Sequence, residues 1–290
     1  MRKVAILGAN GFLGFPILAA FSANGWEVAS FSRSAVRNSA QEEYLVNLFD
    51  EESLKTGLAS SKPGVVVCTA WDTEHGKFWT NASNVDYRDA TLRFAEISFQ
   101  AGVKTFVGLG TMSEYGLSPG LCNSDFSPLI ENDIYSKSKI ETGIELKKIG
   151  ERFGCQTHWA RVFQAFGPHE KSERYVPSLI ANLRKGNEFS IRTPNFELDW
   201  IHSSDVASAI VFVVENKLDH FVDIGTGVGT TVKELSELIC EELDLDSRLL
   251  DYLGQIPGHK KKAVVDVQSQ LLSLGWKPTE SLRSRIKSLG

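Results

Sequence analysis

Tyr135 and Lys139 stand four residues apart in the run Tyr135-Ser136-Lys137-Ser138-Lys139, a spacing that puts both side chains on one face of a helix. An ammonium beside a phenol favours the phenolate, lowering a pKa that is otherwise about 10. Such a tyrosine can exchange a proton with a carbonyl or hydroxyl near neutral pH. On its own the pair also fits an exposed helical surface. Its place after the fifth expected strand, beside Thr111-Met112-Ser113-Glu114-Tyr115-Gly116, favours the chemical reading.

A second cluster lies at the other end of the same half. Gly8-Ala9-Asn10-Gly11-Phe12-Leu13-Gly14 follows the first expected strand directly and opens the first helix. Glycines there allow a tight turn and close backbone approach, so amides and the positive helix end can face a pyrophosphate. A ribose bearing only hydroxyls is usually held by an Asp or Glu about 20 residues further on. Here the strand Glu27 to Phe31 ends in Ser32-Arg33-Ser34, with no carboxylate at its tip. Arg33 offers a planar charged fork suited to a 2′-phosphate, with Arg37 nearby, which favours NADP(H) over NAD(H).

These groups need a scaffold that brings strand ends together. Val4 to Leu7, Val65 to Cys68 and Thr105 to Leu109 read as strands buried on both faces. Phe12 to Ala23, Glu51 to Ala59 and Asn84 to Ala101 read as the intervening helices, with Gly25 and Gly102 as stops. The fold expected is α/β, a doubly wound parallel (Rossmann) sheet with a smaller mixed α/β C-terminal part. The division falls at residues 1–165 and 166–290, with a return to the sheet around 197–225. In the second part Tyr175 to Arg184, Ser203 to Glu215 and Val232 to Leu243 read as helices, Leu271 to Pro278 as a helical segment ending in stops at Gly275 and Pro278, and Phe189 to Ile191 as a strand.

Composition excludes several classes. With 290 residues and a net charge of −5 the chain lacks the basic excess of a nucleic-acid binder. No apolar run approaches the roughly 20 residues that cross a bilayer. Cys68, Cys122, Cys155 and Cys240 lie far apart with no metal-ligand spacing. The expectation is a cytoplasmic protein with reduced cysteines, no metal site, and neither nucleic acid nor membrane as partner.

Taken in order, the motifs resemble the extended short-chain dehydrogenase/reductase family, the NAD(P)-dependent epimerase/dehydratase group acting on nucleotide sugars. The resemblance covers Gly8/Gly11/Gly14, Asn84-Val85, Thr111, Tyr135/Lys139 and Arg161 to Pro168. It continues through Asp199 to Ala207, Gly225-Thr226-Gly227 and Leu274 to Pro278. It implies that Tyr135 is the general acid/base, that Lys139 holds the nicotinamide ribose and tunes Tyr135, and that Thr111 hydrogen-bonds the reacting oxygen. Asn10, Phe12, Leu13, Ser32, Asn47, Leu48, Ala70 and Trp71 complete the expected cofactor contacts.

Departures from the family pattern narrow the chemistry. Its 4,6-dehydratases carry Asp-Glu after the catalytic Thr, where this chain has Met112 and Ser113. Ser113 also replaces a Cys that related epimerases use, and Leu198 replaces an Arg that contacts the nucleotide. Simple ketone reduction asks least of such a site.

On the substrate side, His75 lies among Trp71, Phe78 and Trp79, which could stack on a sugar or equally serve as core. Met112, Ser113, Gln164 and Lys261 are the other substrate candidates. The basic run His259 to Lys262 also fits a solvated loop, and His202 and Asp205 fit a cap of the following helix.

The resulting expectation is an NADPH-dependent 4-ketoreductase of a nucleotide-linked 4-keto-6-deoxy sugar in surface-polysaccharide assembly. The rivals are a 4-epimerase with retained NAD(P) and a non-catalytic dinucleotide-sensing protein. A homodimer is expected through the helices near Asn84 to Ala101 and Tyr135 to Phe153. Phe94, Ile97, Phe99, Ile140, Ile144 and Ile149 there exceed a single sheet-facing stripe.

Overall fold

Val4 to Leu7 form the buried end of strand β1 (Lys3–Leu7), and the chain turns at Gly8 into helix α1 (Gly14–Ala23). The computed structural model describes residues 2–34, 42–74, 76–116, 120–253 and 261–290. Arg37, His75, His259 and Lys260 lie outside them. Next come β2 (Glu27–Ser32), β3 (Glu42–Leu45), α2 (Glu51–Ser61), β4 (Val65–Cys68), α3 (Ser83–Gln100) and β5 (Thr105–Thr111). A 3-10 turn over Met112–Tyr115 and β6 (Gly120–Cys122) lead to α4 (Ile134–Phe153), β7 (Gln156–Val162) and β8 (Gln164–Phe166). The second half adds α5 (Tyr175–Arg184), β9 (Phe189–Ile191), β10 (Glu197–His202), α6 (Ser203–Asn216), β11 (Phe221–Ile224) and β12 (Gly229–Thr231). It closes with α7 (Val232–Leu243), β13 (Leu250–Tyr252), β14 (Lys262–Val265), α8 (Gln270–Ser273) and α9 (Leu282–Lys287).

Seven parallel strands form the main sheet in the order β11-β7-β5-β4-β1-β2-β3. The chain winds outward from β1 to β3 and then returns to β4, so the direction of winding reverses between β1 and β4. A crevice opens at the carboxyl ends there, where ligands of such sheets bind. Ile17, Phe21, Val206 and Ile210 of α1 and α6 cover one face of the sheet. Leu54, Leu58, Phe94 and Leu146 of α2, α3 and α4 cover the other.

The helices start and stop for local reasons. Asp50 caps α2 by accepting from the amides of Glu52 and Ser53, and Asp133 caps α4 through Ser136. Gly25 at φ +75° ends α1 and Gly102 at φ +96° ends α3, a conformation glycine adopts without a Cβ clash. His202 caps α6 by accepting from the Ser204 amide at 3.3 Å, and Asp205 pairs with Arg285 at 2.8 Å, so both buttress this segment.

The second sheet has the order β12-β10-β14-β6, with β8 beside β10. Its strand β6 comes from the first half of the chain. Conversely, β11 and α6 return to the main sheet, whereas β10 stays in the second. Asp199 ties the two together: its carboxylate accepts from the Thr226 amide and hydroxyl, the Gly227 amide and the Val265 amide.

The helix expected from Leu271, with stops at Gly275 and Pro278, is the four residues of α8, and Gly275 at φ +92° turns the chain where a stop is expected. The apolar surplus behind the expected dimer is spent within the protomer. Phe94, Ile97, Phe99, Ile140 and Ile149 are all buried, and only Ile144 of that set is exposed.

Candidate active site

The glycine loop is held by its own backbone. The Gly8 amide donates to Phe31 O at 2.9 Å and the Gly11 amide to Gly8 O at 2.8 Å. A Cβ on Gly14 would lie 2.1 Å from Gly8 O, so helix α1 can approach β1 this closely only with glycine there. The first amides of α1 have no side-chain cap, and such donors can hold a diphosphate.

A cavity of about 400 Å³ opens beside this loop. Gly8, Asn10, Gly11, Phe12 and Leu13 form one wall; Ser32 and Arg33 stand at the tip of β2, Asn47 and Leu48 follow β3, and Ala70 and Trp71 follow β4. Asn10 donates to Ser34 O at 3.0 Å, which ties the loop to the β2 tip. Among the described residues no carboxylate lines the cavity, and Arg33 is exposed at its edge. This is a cradle that fits the adenosine-diphosphate half of a dinucleotide.

Thr111, Tyr135 and Lys139 lie beyond this cavity, at the end of β5 and the start of α4. Tyr135 is 8% exposed and Lys139 4%. Phe78 and Trp79 pack edge-on against the Tyr135 ring at 4.8 and 5.5 Å. Trp71 belongs to both regions: it lines the cavity, and its ring lies 3.6 Å from the Lys139 ammonium.

The electrostatics differ from the sequence expectation. Burial pushes the Tyr135 phenol up to about 12, opposed by the Thr111 side chain, rather than down toward neutrality. Burial also pulls Lys139 down to about 7, against the attraction of Glu114 and Cys68. The physical reason is desolvation of both groups. The ammonium donates to Leu109 O at 2.7 Å and stays 5.9 Å from the Tyr135 ring centroid.

The substrate candidates are scattered. Met112 packs with Tyr115, Cys122 and Phe163, and the Ser113 hydroxyl accepts from Thr111 at 3.3 Å. Gln164 sits in β8 opposite Trp200, and the Lys261 ammonium lies over Phe196 at 4.9 Å. The structure brings neither of these last two into the cavity by the glycine loop. Among the described residues no group of His, Cys, Asp or Glu could hold a metal, and no helix is long and apolar enough to cross a membrane.

Residues 4–225 match the NAD dependent epimerase/dehydratase family. The chain belongs to that family. Its members are NAD(P)-dependent enzymes of the extended short-chain dehydrogenase/reductase type. The dTDP-6-deoxy-L-talose 4-dehydrogenase (NAD(P)(+)) of Kitasatospora kifunensis is 25% identical over 99% of this chain and 94% of its own length. The low-salt glycan biosynthesis protein Agl12 of Haloferax volcanii is 22% identical over 68% of this chain, which spans 64% of that protein. A UDP-glucose 4-epimerase of Thermotoga maritima, solved with UDP-glucose, shares the fold with a TM-score of 0.81. It is 22% identical, over 99% of this chain and 96% of its own.

Two residues that frame the site carry no site role in the sequence reading. Glu114 holds the end of β5: its Oε1 accepts from the Thr111 amide at 2.9 Å and from the Trp159 indole at 3.0 Å. The signal was available, since Thr111-Met112-Ser113-Glu114 has the spacing of a capping box, and one forms. Asn84, completely buried, accepts from the Trp71 indole at 2.8 Å and thereby fixes the ring that covers Lys139.

Proposed function

We propose that the protein reduces the keto group of a nucleotide-linked 4-keto-6-deoxy sugar with NADPH. The observation that carries this reading is the set of groups around Thr111. The Tyr135 phenol, pushed up to about 12, is protonated at neutral pH and ready to donate. Met112 and Ser113 offer no carboxyl pair for eliminating water; of the two carboxylates that act on Tyr135, Glu114 is committed to backbone and indole donors and Asp133 to the cap of α4.

Held at its diphosphate by the glycine loop, NADPH would supply a hydride from its nicotinamide. The residues of the chain do the rest. Thr111 and Tyr135 hold the keto oxygen between two hydroxyls. Tyr135 passes its proton to that oxygen as negative charge develops, so the ketone gains one hydride and one proton and becomes an alcohol. Lys139 meets the ribose and keeps positive charge near the phenolate left behind. Arg33 selects the 2′-phosphate. Residues 1–165 with the returning α6 and β11 make the cofactor half, and 166–290, Lys261 among them, supply most of the substrate contacts, with Gln164 at the end of the first half. The full-length match to a 4-dehydrogenase of a 6-deoxy sugar supports the reaction class.

The likeness to a UDP-glucose 4-epimerase over 99% of the chain favours a second reading, epimerisation on retained cofactor. Incubating the protein with NADPH and a panel of nucleotide 4-keto sugars separates the two. Stoichiometric NADPH consumption is expected. Inversion at C4 of a nucleotide hexose with no net NADPH consumption overturns the reductase reading.

A further inference from the structure

We infer that Trp71 is a positioning residue for Lys139, its indole face holding the ammonium in place and favouring the charged form. This rests on the proposal above that Lys139 meets the cofactor and serves Tyr135.

The Lys139 ammonium lies 3.6 Å from the Trp71 ring centroid, well inside the roughly 6 Å at which a cation is attracted by an aromatic face. Among the described residues its hydrogen bond goes to Leu109 O at 2.7 Å, one neutral acceptor for a group with three donors. Trp159 at 5.5 Å and Tyr135 at 5.9 Å close the aromatic surround. Tryptophan gives the strongest face of the three ring types, and the attraction grows when water is excluded. At 4% exposure, water is excluded here.

The Trp71 ring is itself fixed. Its indole N–H donates to Asn84 Oδ1 at 2.8 Å, and the Asn84 amide donates to Phe78 O and Asn81 O, both at 2.7 Å. With both amide hydrogens directed at carbonyls, only the oxygen of Asn84 is left to face the indole, so the network sets the amide's orientation. A packed indole N–H takes a partner in any role; here the partner also fixes the plane of the ring that faces the ammonium. The sequence distance of 13 residues between Trp71 and Asn84 spans the whole aromatic segment, so the same asparagine also ties down Phe78, which packs on Tyr135.

The charged and titratable groups around Lys139 come from four elements. Glu114 from the turn after β5 and Cys68 at the end of β4 pull its pKa up, and burial pulls it down. Tyr135 precedes it by one turn of α4, and Arg161 of β7 stands behind Glu114, whose charge it neutralises. Glu114 thus acts on Lys139 weakened by its own partner. The Trp71 face, at 3.6 Å, is the nearest of the three aromatic attractions on the ammonium.

The test is the pH dependence of NADH affinity, measured by calorimetry between about pH 5 and 9, which brackets the lowered Lys139 and a further downward shift. NADH is used because it lacks the separately titrating 2′-phosphate. Wild type, Trp71→Leu, Trp71→Phe, Lys139→Met and the Trp71→Leu/Lys139→Met double variant are compared. Wild-type affinity is expected to fall as Lys139 loses its proton. The midpoint of that fall should move down by about one pH unit or more in Trp71→Leu and by less in Trp71→Phe, which keeps a weaker face. The double variant should titrate like Lys139→Met alone. A wild-type midpoint in both Trp71 variants, or equal shifts in the two, overturns the inference. Should Trp71→Leu not fold, a wild-type midpoint in Trp71→Phe overturns it. Wild-type pH dependence in Lys139→Met overturns instead the reading that Lys139 meets the cofactor.

Discussion

Glu114 and Arg161 form an ion pair of 2.7 Å in which the side chains are 0% and 2% exposed, directly behind Thr111. The pair continues outward: Arg161 donates to the Tyr115 hydroxyl at 3.1 Å, which donates to Asp223 at 2.6 Å. The ends of β5, β7 and β11 are thereby locked at the carboxyl edge of the sheet. Gly110 completes the fit, since a Cβ there would meet Glu114 Oε1 and Trp159 Nε1 at 2.5 Å each. A rigid strand end is what a hydroxyl must have to meet a reacting oxygen repeatedly in one geometry.

Glu114→Gln should therefore destabilise strongly while leaving the shape of the site nearly intact. Removing one partner of a buried pair strands the other charge, at a cost of about 3–5 kcal/mol. Urea denaturation should show that loss. The double variant Glu114→Gln/Arg161→Met should lose less than the two single variants together, because neither member of the pair is left facing the other's absence. A loss under about 1 kcal/mol in Glu114→Gln would show that Arg161 does not depend on Glu114.

How far the sequence alone reached follows from how local each feature is. The glycine loop and the Tyr135/Lys139 pair lie in consecutive residues, and helical or strand spacing alone places them. The setting of Lys139 was hidden, because Trp71 and Trp159 reach it from β4 and β7, and only packing shows that they desolvate it. For the same reason the direction of the Tyr135 shift came out reversed. Phe94 and Ile140 were legible as apolar, but whether they face a neighbour or the sheet depends on how α3 and α4 cross, which periodicity does not encode. Glu114 was readable as a capping residue; its pairing with Arg161, 47 positions later, was not.

Glu170 gives the protein a pH-dependent stability of opposite sign to that of a salt-bridged acid. Its side chain is 5% exposed, Oε2 has no partner among the described residues, and Arg174 lies 3.6 Å away. Burial raises its pKa from 4.5 to about 7. Between those values the folded state holds more protons than the unfolded state, so stability falls as pH rises through the window and stays reduced above it. Glu170→Gln should be more stable than wild type at pH 8 by on the order of 1–3 kcal/mol. It should also lack the slope. Parallel pH profiles for the two proteins in denaturant titrations would refute the assignment to Glu170.

NADPH should bind at least about tenfold more tightly than NADH, equivalent to about 1.4 kcal/mol. The reason is an exposed Arg33 at a cavity edge that no described carboxylate lines. Arg33→Ala should remove most of that preference without harming NADH binding. Equal dissociation constants in the wild type, or an unchanged ratio in the variant, would remove Arg33 from the 2′-phosphate site.

Tyr135→Phe should lose most turnover and keep its cofactor affinity. The substitution deletes the one hydroxyl that donates the proton and leaves the glycine loop, Lys139 and the Phe78 contact in place. General acid catalysis contributes typically about 10²–10⁴-fold, so single-turnover NADPH oxidation with a keto-sugar substrate should slow by that factor. Thr111→Val removes a hydrogen bond to the reacting oxygen and also the Thr111 contribution that opposes the rise of the Tyr135 pKa. Its rate should fall too, while the alkaline limb set by Tyr135 moves to higher pH, since a phenol that loses a partner for its charged form ionises later. Lys139→Met should weaken cofactor binding and rate together, because one ammonium serves both. Near wild-type single-turnover rates in Tyr135→Phe would mean that another group supplies the proton, and the mechanism would fall with the fold and the cofactor cleft untouched.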